Sequence, residues 1–314
     1  MSQTRNSILT KLPVLVFCAL LCNALWGSAI PGVKTGYQLF GIDTAHTPSM
    51  FLFAGVRFAL AGLLVIVVGS LIEKRPLIPR GGFEWRCIAI AGLFQTVVQY
   101  AFYYTALPRI AGVTASIFIS TNTFFALLLS TLVFRMEKLA ANKAIGCLIG
   151  FIGVLLVQYT PGGALTFAFN AEGYILVSTF CAAFSAVISG RFAQRMSSMC
   201  LSGWQFFLGG LVLTLMGLVS GGKFTQVSPS AVVLLIYLAM VSALAYTLWS
   251  CLFRDNPISR VAVFGFSQPV FGVLFSAIFL TSERSALNWR VLCALALVSV
   301  GVYTVNRAKK PAQS

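Results

Sequence analysis

The sequence predicts an all-α integral membrane protein with ten transmembrane helices in two inverted five-helix repeats. Three observations predict this fold: the apolar composition, ten apolar stretches of membrane-spanning length, and an internal repeat at a constant offset. Of the 314 residues, 58% are hydrophobic and only 9% are charged, whereas soluble domains contain roughly 45–50% apolar residues. So few charges cannot cover the surface of a soluble enzyme or a secreted domain, and the composition therefore disfavours both classes.

Each apolar stretch approaches the roughly 20 residues that a helix needs to cross a bilayer. No connection between them is long enough for a separate soluble domain. We assign residues 1–159 to the first repeat and 160–314, with a short basic tail, to the second. The alternative that the first stretch is a signal peptide is disfavoured, because it is long enough to cross and many more follow. The stretches cover approximately residues 12–34, 50–72, 86–106, 111–134, 140–159, 172–192, 202–220, 230–249, 258–280 and 287–306.

The basic residues predict the orientation of the chain. A net charge of +15 is compatible with nucleic-acid binding, but that function needs a clustered basic face, and here Lys and Arg are scattered between apolar runs. Counted over alternate connections, sixteen lie on the side of the amino terminus and five on the other, with Arg57 alone inside a span. Because basic residues accumulate on the cytoplasmic side, we expect both termini in the cytoplasm, in the cell (inner) membrane, and no nucleic-acid partner.

The chain also repeats itself. Sliding it by 146 residues aligns 100–147 with 246–293 without a gap. A shared apolar bias does not align Glu, Asn and Tyr at one offset, and because each copy has an odd number of helices, the second copy is predicted to be inverted. Inverted repeats are typical of secondary transporters, whose substrate site lies near the bilayer midplane. The polar and aromatic matches include Tyr100 with Tyr246, Glu137 with Glu283, and Asn142 with Asn288.

Several short motifs recur in a characteristic order. They are Ala24-Leu25-Trp26-Gly27-Ser28-Ala29-Ile30-Pro31, Arg57-Phe58-Ala59-Leu60-Ala61-Gly62, Tyr104-Thr105-Ala106-Leu107, and the acidic residues Glu137 and Glu283 after the fourth and ninth spans. In order and spacing, over nearly the whole chain, the sequence resembles the drug/metabolite transporter superfamily and its ten-helix EamA-type branch. The resemblance implies transport of small metabolites, often amino acids or related compounds and often outward. It does not identify the substrate.

Arg57 is the sharpest candidate for a functional residue, because an ionisable group inside a span is costly. One interpretation is an inward-facing cation that binds a carboxylate-bearing substrate. The other is a structural arginine that hydrogen-bonds the carbonyls of a neighbouring helix. The repeat places Gln205 at the matching position of the second half. Pro31 and Gly32 predict an interruption, and with it a bend or gate, near the outer end of the first span.

Polar and aromatic residues in the middle of other spans complete the predicted substrate site. Gln95, Gln99 and Tyr103 recur every four residues and are predicted to share one helix face. Tyr103 corresponds to Trp249 in the repeat, and Asn122 corresponds to Gln268. The alternative role for each is to join neighbouring helices by hydrogen bonds. The full set of candidate substrate-binding residues is Asn23, Trp26, Arg57, Gln95, Gln99, Tyr103, Asn122, Trp204, Gln205, Trp249 and Gln268.

The sequence predicts transport without a cofactor or metal. No Asp or Glu lies in the middle of a span, and the single histidine, His46, falls in an outer connection. Coupling through a buried carboxylate is therefore disfavoured, which favours a facilitator or exchanger, or coupling through groups at the ends of helices. An intramembrane enzyme is disfavoured because paired carboxylates are missing from the spans. A flippase of a lipid or lipid-linked precursor stays open as the alternative, and the sequence predicts no oligomeric state.

Overall fold

The computed structural model describes residues 7–106, 109, 118–158, 167–279 and 289–306, and within these ranges it contains helices and no strand. The predicted boundary between the halves at 159 and 160 lies outside them, as do Glu283 and Arg284. The helices of the first half are α1 (Leu12–Leu39), α2 (Thr47–Ile72), α3 (Gly81–Gly92), α4 (Gln99–Ala106), α5 (Asn122–Leu128) and α6 (Ala141–Gln158).

The second half contains α7 (Tyr174–Phe192), α8 (Ser198–Val219), α9 (Pro229–Asp255), α10 (Ile258–Ala262), α11 (Ser267–Phe279) and α12 (Trp289–Asn306). A π-helical segment, Leu93–Val98, joins α3 to α4, and another, Leu129–Val133, follows α5. A 3₁₀ turn, Val263–Phe266, joins α10 to α11. Several of the membrane helices are therefore built from more than one helical segment.

The chain is a multi-pass membrane protein. Among the described residues, six helices are long and apolar enough to cross a membrane, and large apolar side chains such as Phe17 and Val219 are exposed, at 67% and 87%. Water would make such exposure costly, whereas lipid does not. The total of ten spans stays a prediction. The six long helices are Leu12–Leu39, Thr47–Ile72, Gly81–Ala106, Phe169–Phe192, Ser198–Val219 and Pro229–Asp255, and shorter apolar helices cover Phe118–Val133, Ala141–Leu156 and Leu292–Asn306.

Local signals explain where several helices begin and end. The Ser228 hydroxyl accepts a hydrogen bond from the Ala231 N–H (3.1 Å) at the start of α9, and Pro229 occupies the first helical position, where its missing N–H is tolerated. The interruption expected at Pro31 is absent, because α1 remains helical through Pro31 to Leu39. Inside membranes, neighbouring helices can satisfy the backbone groups that such a proline leaves free.

Helices α2 and α8 lie against each other along most of their length. Small residues permit such close packing in membranes. A Cβ atom added to Gly217 would lie 2.6 Å from the Leu52 nitrogen, and one added to Gly203 would lie 2.8 Å from the Ile66 side chain. The contact is lined by glycines spaced seven residues apart, namely Gly55, Gly62 and Gly69 on α2 and Gly203, Gly210 and Gly217 on α8.

Several of the other helix contacts occur in matching pairs. Helix α1 packs against α11 as α7 packs against α5, and α1 packs against α9 as α7 packs against α4. Likewise α2 contacts α9 as α8 contacts α3, whereas α6 packs directly against α12. These contacts correspond when the two halves of the chain are exchanged, as duplication predicts, whereas the contact between α7 and α9 has no comparable counterpart between α1 and α3 or α4 among the described residues.

Two apolar clusters meet in the middle of the molecule. One contains Phe53, Phe58 and Phe206, and the other contains Phe253 and Phe266. The side chain of Leu25 on α1 packs against both clusters. The polar residues of the candidate site lie at this junction.

Candidate functional site

Arg57 connects α2 to α9. Its side chain is buried, with 4% of its surface exposed. The Nε–H group donates to the Leu238 carbonyl oxygen (3.3 Å), and Nη2 donates to the Ser242 hydroxyl (2.9 Å). These two hydrogen bonds use two of the five N–H groups of a guanidinium. The arginine therefore makes the helix contact expected of a structural residue and still has donors for a ligand.

Five tyrosines surround this guanidinium, which interacts electrostatically with the hydroxyl group of each. We call Arg57 and these residues the Arg57–tyrosine cluster. Because phenol hydroxyls both donate and accept hydrogen bonds, the cluster combines one fixed positive charge with several adaptable polar groups. The tyrosines are Tyr37 on α1, Tyr100, Tyr103 and Tyr104 on α4, and Tyr246 on α9.

Tyr100 and Tyr246 are equivalent residues of the repeat and touch each other. Their hydroxyl oxygens are 3.1 Å apart and share a hydrogen bond across 146 positions of sequence. When two equivalent residues of a duplicated protein meet, they lie at the axis that relates the two halves. The cluster is therefore located between the halves, where relative movement of the halves would alter it.

Aromatic rings enclose one side of the cluster. The ring of Trp26 lies 5.0 Å from that of Tyr246 and 5.1 Å from that of Trp249, in a tilted and an edge-on arrangement. Phe58 lies 4.5 Å from Tyr100. Two residues of the predicted site, Trp26 and Trp249, thus pack together beside Tyr246 and form an aromatic wall.

Gln95 and Gln99 lie next to the same hydroxyl groups. The Gln95 Nε2 group donates to Gln99 Oε1 (2.9 Å), and both side chains approach the Tyr246 hydroxyl. The π-helical segment Leu93–Val98 contains Gln95, so the helix is wider here than the regular α-helix assumed for this face, although Gln95 and Gln99 still meet. Single π-helical turns occur frequently at functional sites, and this one presents Gln95 together with Gln99.

Some buried polar atoms near the junction have no hydrogen-bond partner among the described residues. They include Trp26 Nε1 in the aromatic wall, Asn23 Oδ1 and Gln205 Oε1. Asn23 does donate from its Nδ2 to the Ala19 carbonyl oxygen (2.7 Å). An unpaired buried polar group costs about 1–3 kcal/mol, so a polar ligand that reaches the Trp26 N–H would gain a hydrogen bond there.

Other predicted residues lie elsewhere. The Trp204 indole N–H donates to the Leu77 carbonyl oxygen (2.6 Å), which ties α8 to the α2–α3 connection. Asn122 donates from its Nδ2 to the Thr179 carbonyl oxygen on α7 (3.4 Å), and Gln268 is half-buried on α11. No contact described in the structure joins Trp204, Asn122 or Gln268 to the Arg57–tyrosine cluster.

Four of the cluster's tyrosines are not among the substrate-binding residues predicted from the sequence. Tyr37 lies just beyond residue 34, where the first span was predicted to end, although α1 continues to Leu39. Tyr104 belongs to a motif that supported the family resemblance, and Tyr100 and Tyr246 were matched in the repeat. The identity of Tyr100 and Tyr246 was therefore the signal that could have placed them at the interface of the halves.

A half-buried carboxylate, Glu137, lies outside the spans. The Glu137 carboxylate accepts hydrogen bonds from the Ser259 N–H (2.8 Å), the Ser259 hydroxyl (2.6 Å), the Ser130 hydroxyl (3.0 Å) and the Lys143 ammonium group (2.5 Å). Burial opposes ionisation, but the hydrogen bonds from Lys143 and Ser259 outweigh it and lower the pKa of Glu137. Among the described residues, no three His, Cys, Asp or Glu side chains are grouped closely enough to hold a metal ion.

Known proteins share this sequence pattern. The chain is 23% identical to a WAT1-related chloroplast protein of Arabidopsis thaliana over 90% of its own length and 66% of that relative, so it spans just under two thirds of it. An uncharacterized transporter of Synechocystis is 24% identical, with 91% and 88% of the two chains covered. A probable amino-acid metabolite efflux pump of Escherichia coli is also 24% identical, with 91% and 92% covered.

A solved crystal structure shares the fold, with a TM-score of 0.74 at 18% identity, covering 92% of this chain and 95% of the other. The model of the EamA-like transporter family matches this chain twice in succession, over residues 13–159 and 170–307. These two matches cover far more than half of the sequence. The protein therefore belongs to the EamA-like transporter family.

Proposed function

We propose that this protein is a secondary transporter that exports small metabolites, such as amino acids or related compounds, across the cytoplasmic membrane by alternating access. The observation that carries the proposal is the buried Arg57 inside a ring of tyrosines between the two halves. Membership of a transporter family and the name of the Escherichia coli relative support it.

The chemistry of the cluster favours a substrate with a carboxylate. A guanidinium binds a carboxylate through two parallel N–H···O bonds, and Arg57 keeps donors beyond its bonds to Leu238 and Ser242. The faces of Trp26 and Trp249 offer apolar surface and cation–π contacts, which suit the side chain or the ammonium group of an amino acid. We therefore propose that the carboxylate binds at Arg57 and the remainder packs against these rings.

The position of the cluster suits a rocking movement. Its tyrosines come from α1 and α4 of the first half and from α9 of the second. If the halves are inverted five-helix units, rocking one against the other opens the cluster to each side of the membrane in turn. The hydrogen bond between Tyr100 and Tyr246 crosses this interface, so it would form and break during the cycle.

The alternative, a lipid flippase, requires polar groups in a furrow that is open to lipid. Arg57 and Tyr104 are 4% and 1% exposed, so the cluster is enclosed by protein rather than lining such a furrow. This enclosure favours a soluble metabolite. Hydrolysis or group transfer would need paired acids or a metal, and we propose transport rather than catalysis.

The test is transport by the purified protein in liposomes. Vesicles are loaded with individual radiolabelled amino acids or with the corresponding amides, which have no carboxylate, and release is measured. We expect release of one or more amino acids and not of their amides. Arg57→Lys keeps the charge but loses the planar fork, and we expect it to slow release at least about tenfold, because 1.4 kcal/mol corresponds to a factor of ten.

The matched control is Tyr237→Phe on α9, which removes an exposed hydroxyl that hydrogen-bonds Ser28 (2.6 Å). This variant should transport like the wild type. Equal rates for Arg57→Lys and wild type would overturn the carboxylate site. An imposed pH difference tests coupling: we expect substrate to equilibrate, and proton-driven accumulation would overturn the facilitator mechanism.

A further inference from the structure

A cavity lies outside the Arg57–tyrosine cluster. It is a cleft of about 440 Å³ between the α2–α3 connection, the α7–α8 connection and the end of α9, and no residue of the cluster lines it. Four arginines and two glutamates line it, so positive charge is in excess. The charged residues are Arg75, Arg80, Arg195, Arg254, Glu73 and Glu84.

Each carboxylate in and around the cleft already has an ion pair or a hydrogen bond within the protein. Arg75 pairs with Glu73 (2.7 Å), and Arg254 pairs with Asp255 (2.7 Å). The Glu84 carboxylate accepts a hydrogen bond from the backbone N–H of Arg80 (2.6 Å). Within the described part of the chain, no ion pair involves the guanidinium groups of Arg80 and Arg195. Two cations in the cleft thus remain for an external anion.

The amino-terminal end of α8 faces the same cleft. Ser197, Ser198, Met199 and Cys200 all line it. Ser198 is 3% exposed, and its hydroxyl group lies beside the Cys251 thiol, which also lines the cleft. The partial positive charge of a helix amino terminus favours anions.

An apolar groove adjoins the cleft. It is lined by Ser70, Leu71, Lys74, Arg75 and Pro76, of which Arg75 and Pro76 also line the cleft. Leu71 is 73% exposed and Ile72, next to it on α2, is 65% exposed. In a membrane-spanning helix, such side chains face the acyl chains of lipid. A cationic cavity therefore continues directly into lipid-facing apolar surface.

We propose that this cleft binds the phosphate headgroup of an anionic phospholipid, with an acyl chain lying along the adjoining groove at Leu71. A free phosphate would satisfy the cations alone, whereas the combination of cations and apolar groove fits a phospholipid. Basic pockets between membrane helices on the cytoplasmic side are suited to such headgroups, and the positive-inside count assigns this end of the molecule to that side. The site is independent of the proposed transport site.

The test measures ligand binding by the purified, delipidated full-length protein through the shift of its thermal unfolding. The probes are short-chain phosphatidylglycerol, short-chain phosphatidylcholine, glycerol 3-phosphate and inorganic phosphate. We expect only phosphatidylglycerol to bind strongly. Arg80→Gln and Arg195→Gln should each weaken its binding about fivefold, because a basic residue near an anionic headgroup contributes about 1 kcal/mol.

The matched control is Arg86→Gln, which removes the same charge from an exposed position of α3 outside the lining. It should bind like the wild type, as should Arg57→Gln, which separates this site from transport. Leu71→Asn keeps every charge and alters an exposed residue, and it should also weaken phosphatidylglycerol binding. Equal shifts with inorganic phosphate and phosphatidylglycerol would overturn the lipid assignment. Unchanged binding in both arginine variants would overturn the site.

Discussion

Tyr246 is the residue through which most of the candidate site is connected. Its hydroxyl group meets that of Tyr100, its ring contacts those of Trp26 and Phe206, and Gln95 approaches it. A phenol can make both the ring contacts and the hydroxyl contacts, because its ring packs like any apolar group while its hydroxyl donates and accepts hydrogen bonds. Tyr246 therefore links the apolar walls to the polar centre.

We predict that Tyr246→Phe impairs transport without unfolding the protein. The ring contacts remain, and only the hydroxyl group is lost. A hydrogen bond contributes about 1 kcal/mol, so the half-saturation concentration for the transported amino acid should rise about fivefold. Transport assays in liposomes and thermal unfolding of the same preparations provide the two measurements.

Tyr100→Phe removes the other hydroxyl of the pair and should have a similar effect, whereas Tyr237→Phe should not. The double variant Tyr100→Phe/Tyr246→Phe should lose less binding free energy than the sum of the two single losses, because both changes remove the same bond. An unchanged half-saturation concentration in Tyr246→Phe would place the transported molecule elsewhere.

At this scale, charge and hydrogen-bonding capacity were readable from the sequence, and side-chain direction was not. Arg57 could be selected as a candidate because a lone cation inside a membrane span is energetically costly. Trp204 looked equally suitable, yet its indole group binds the Leu77 carbonyl in a neighbouring connection. A span of four turns or more presents residues in every direction, and which neighbour each meets depends on packing that only the folded chain defines.

At the scale of helices, the contact between α2 and α8 depends on glycines. A Cβ atom on Gly62 would overlap the backbone of Phe207, and one on Gly210 would overlap the backbone of Ala59. Lipid is as apolar as the surface of a membrane helix, so the hydrophobic effect does little to bring α2 and α8 together. Close van der Waals packing stabilises their contact instead. The seven-residue spacing keeps the glycines on one face.

We predict that Gly210→Ala destabilises the protein by about 1–3 kcal/mol, because an added methyl group in a filled contact forces the backbones apart. Thermal unfolding in detergent measures the loss. Gly82→Ala is the matched control, since its Cβ atom would have no neighbour within 4 Å. Equal stability of the two variants would show that α2 and α8 are not in tight contact.

Helix α10 begins at a carboxylate from the other half of the chain. Glu137 accepts hydrogen bonds from both the N–H and the hydroxyl of Ser259, and it pairs with Lys143, whose side chain is 18% exposed. Glu137 lies between α5 and α6 of the first half, and Ser259 lies at the start of α10 in the second. The cluster is therefore a polar link between the two repeats at one membrane surface.

We predict that Glu137→Gln costs about 3 kcal/mol, because it leaves Lys143 without its partner. Since the pKa of Glu137 is lowered in the folded protein, its contribution to stability is present above the unfolded pKa of about 4.3. That contribution is lost as the pH falls through the lowered pKa. Thermal unfolding scanned from pH 7 downward should show this loss in the wild type only.

Glu84→Gln serves as the control, since the Glu84 carboxylate accepts one backbone hydrogen bond, at an exposed position. It should unfold close to the wild-type temperature at pH 7. If Glu137→Gln shows the same acid-induced loss as the wild type, the titrating group is another one.

The positions of helices were predictable, and their ends were less so. Hydropathy predicted a second span over 50–72 and an eighth over 230–249, whereas α2 covers Thr47–Ile72 and α9 covers Pro229–Asp255. Hydropathy marks only the apolar part of a helix, whereas polar residues such as Arg254 and Asp255 extend α9 beyond that part. The π-helical segment Leu93–Val98 could not be predicted, since it leaves no mark in hydropathy.

At the scale of the whole molecule, the two halves pack as a duplicated pair, and their predicted orientation can be tested directly. Lys138 and Arg284 follow equivalent acidic residues of the repeat. In an inverted pair they lie on opposite sides of the membrane, and in a parallel pair on the same side.

We predict that cysteines at these positions react with a membrane-impermeant maleimide from opposite sides. Lys138→Cys should be labelled in inside-out vesicles and Arg284→Cys in right-side-out vesicles. Both changes are made with Cys293→Ser, because Cys293 is exposed, and the single variant Cys293→Ser gives the background labelling. Labelling of both cysteines from one side would refute the inverted arrangement.

The helical membrane fold and the duplication followed from the sequence because both depend on patterns spread over many residues. Hydropathy averages over a span, and the offset of 146 residues repeats over dozens of positions. The site depends instead on a few contacts between distant residues, such as that of Arg57 with Ser242, 185 positions away. Such contacts leave no local signal, and their partners emerge only when the helices are assembled.

The glycines of α2 and α8 place Arg57 and Gln205 at equivalent positions, so the cation of one half corresponds to a neutral amide in the other. If the halves rock as proposed, an anion held at Arg57 meets no cation at that equivalent position. A dipolar solute would accordingly cross without turning end over end, always led or trailed by the same group. Selectivity among solutes would then depend on the end of the solute opposite its carboxylate, according to whether a bulky or branched side chain fits.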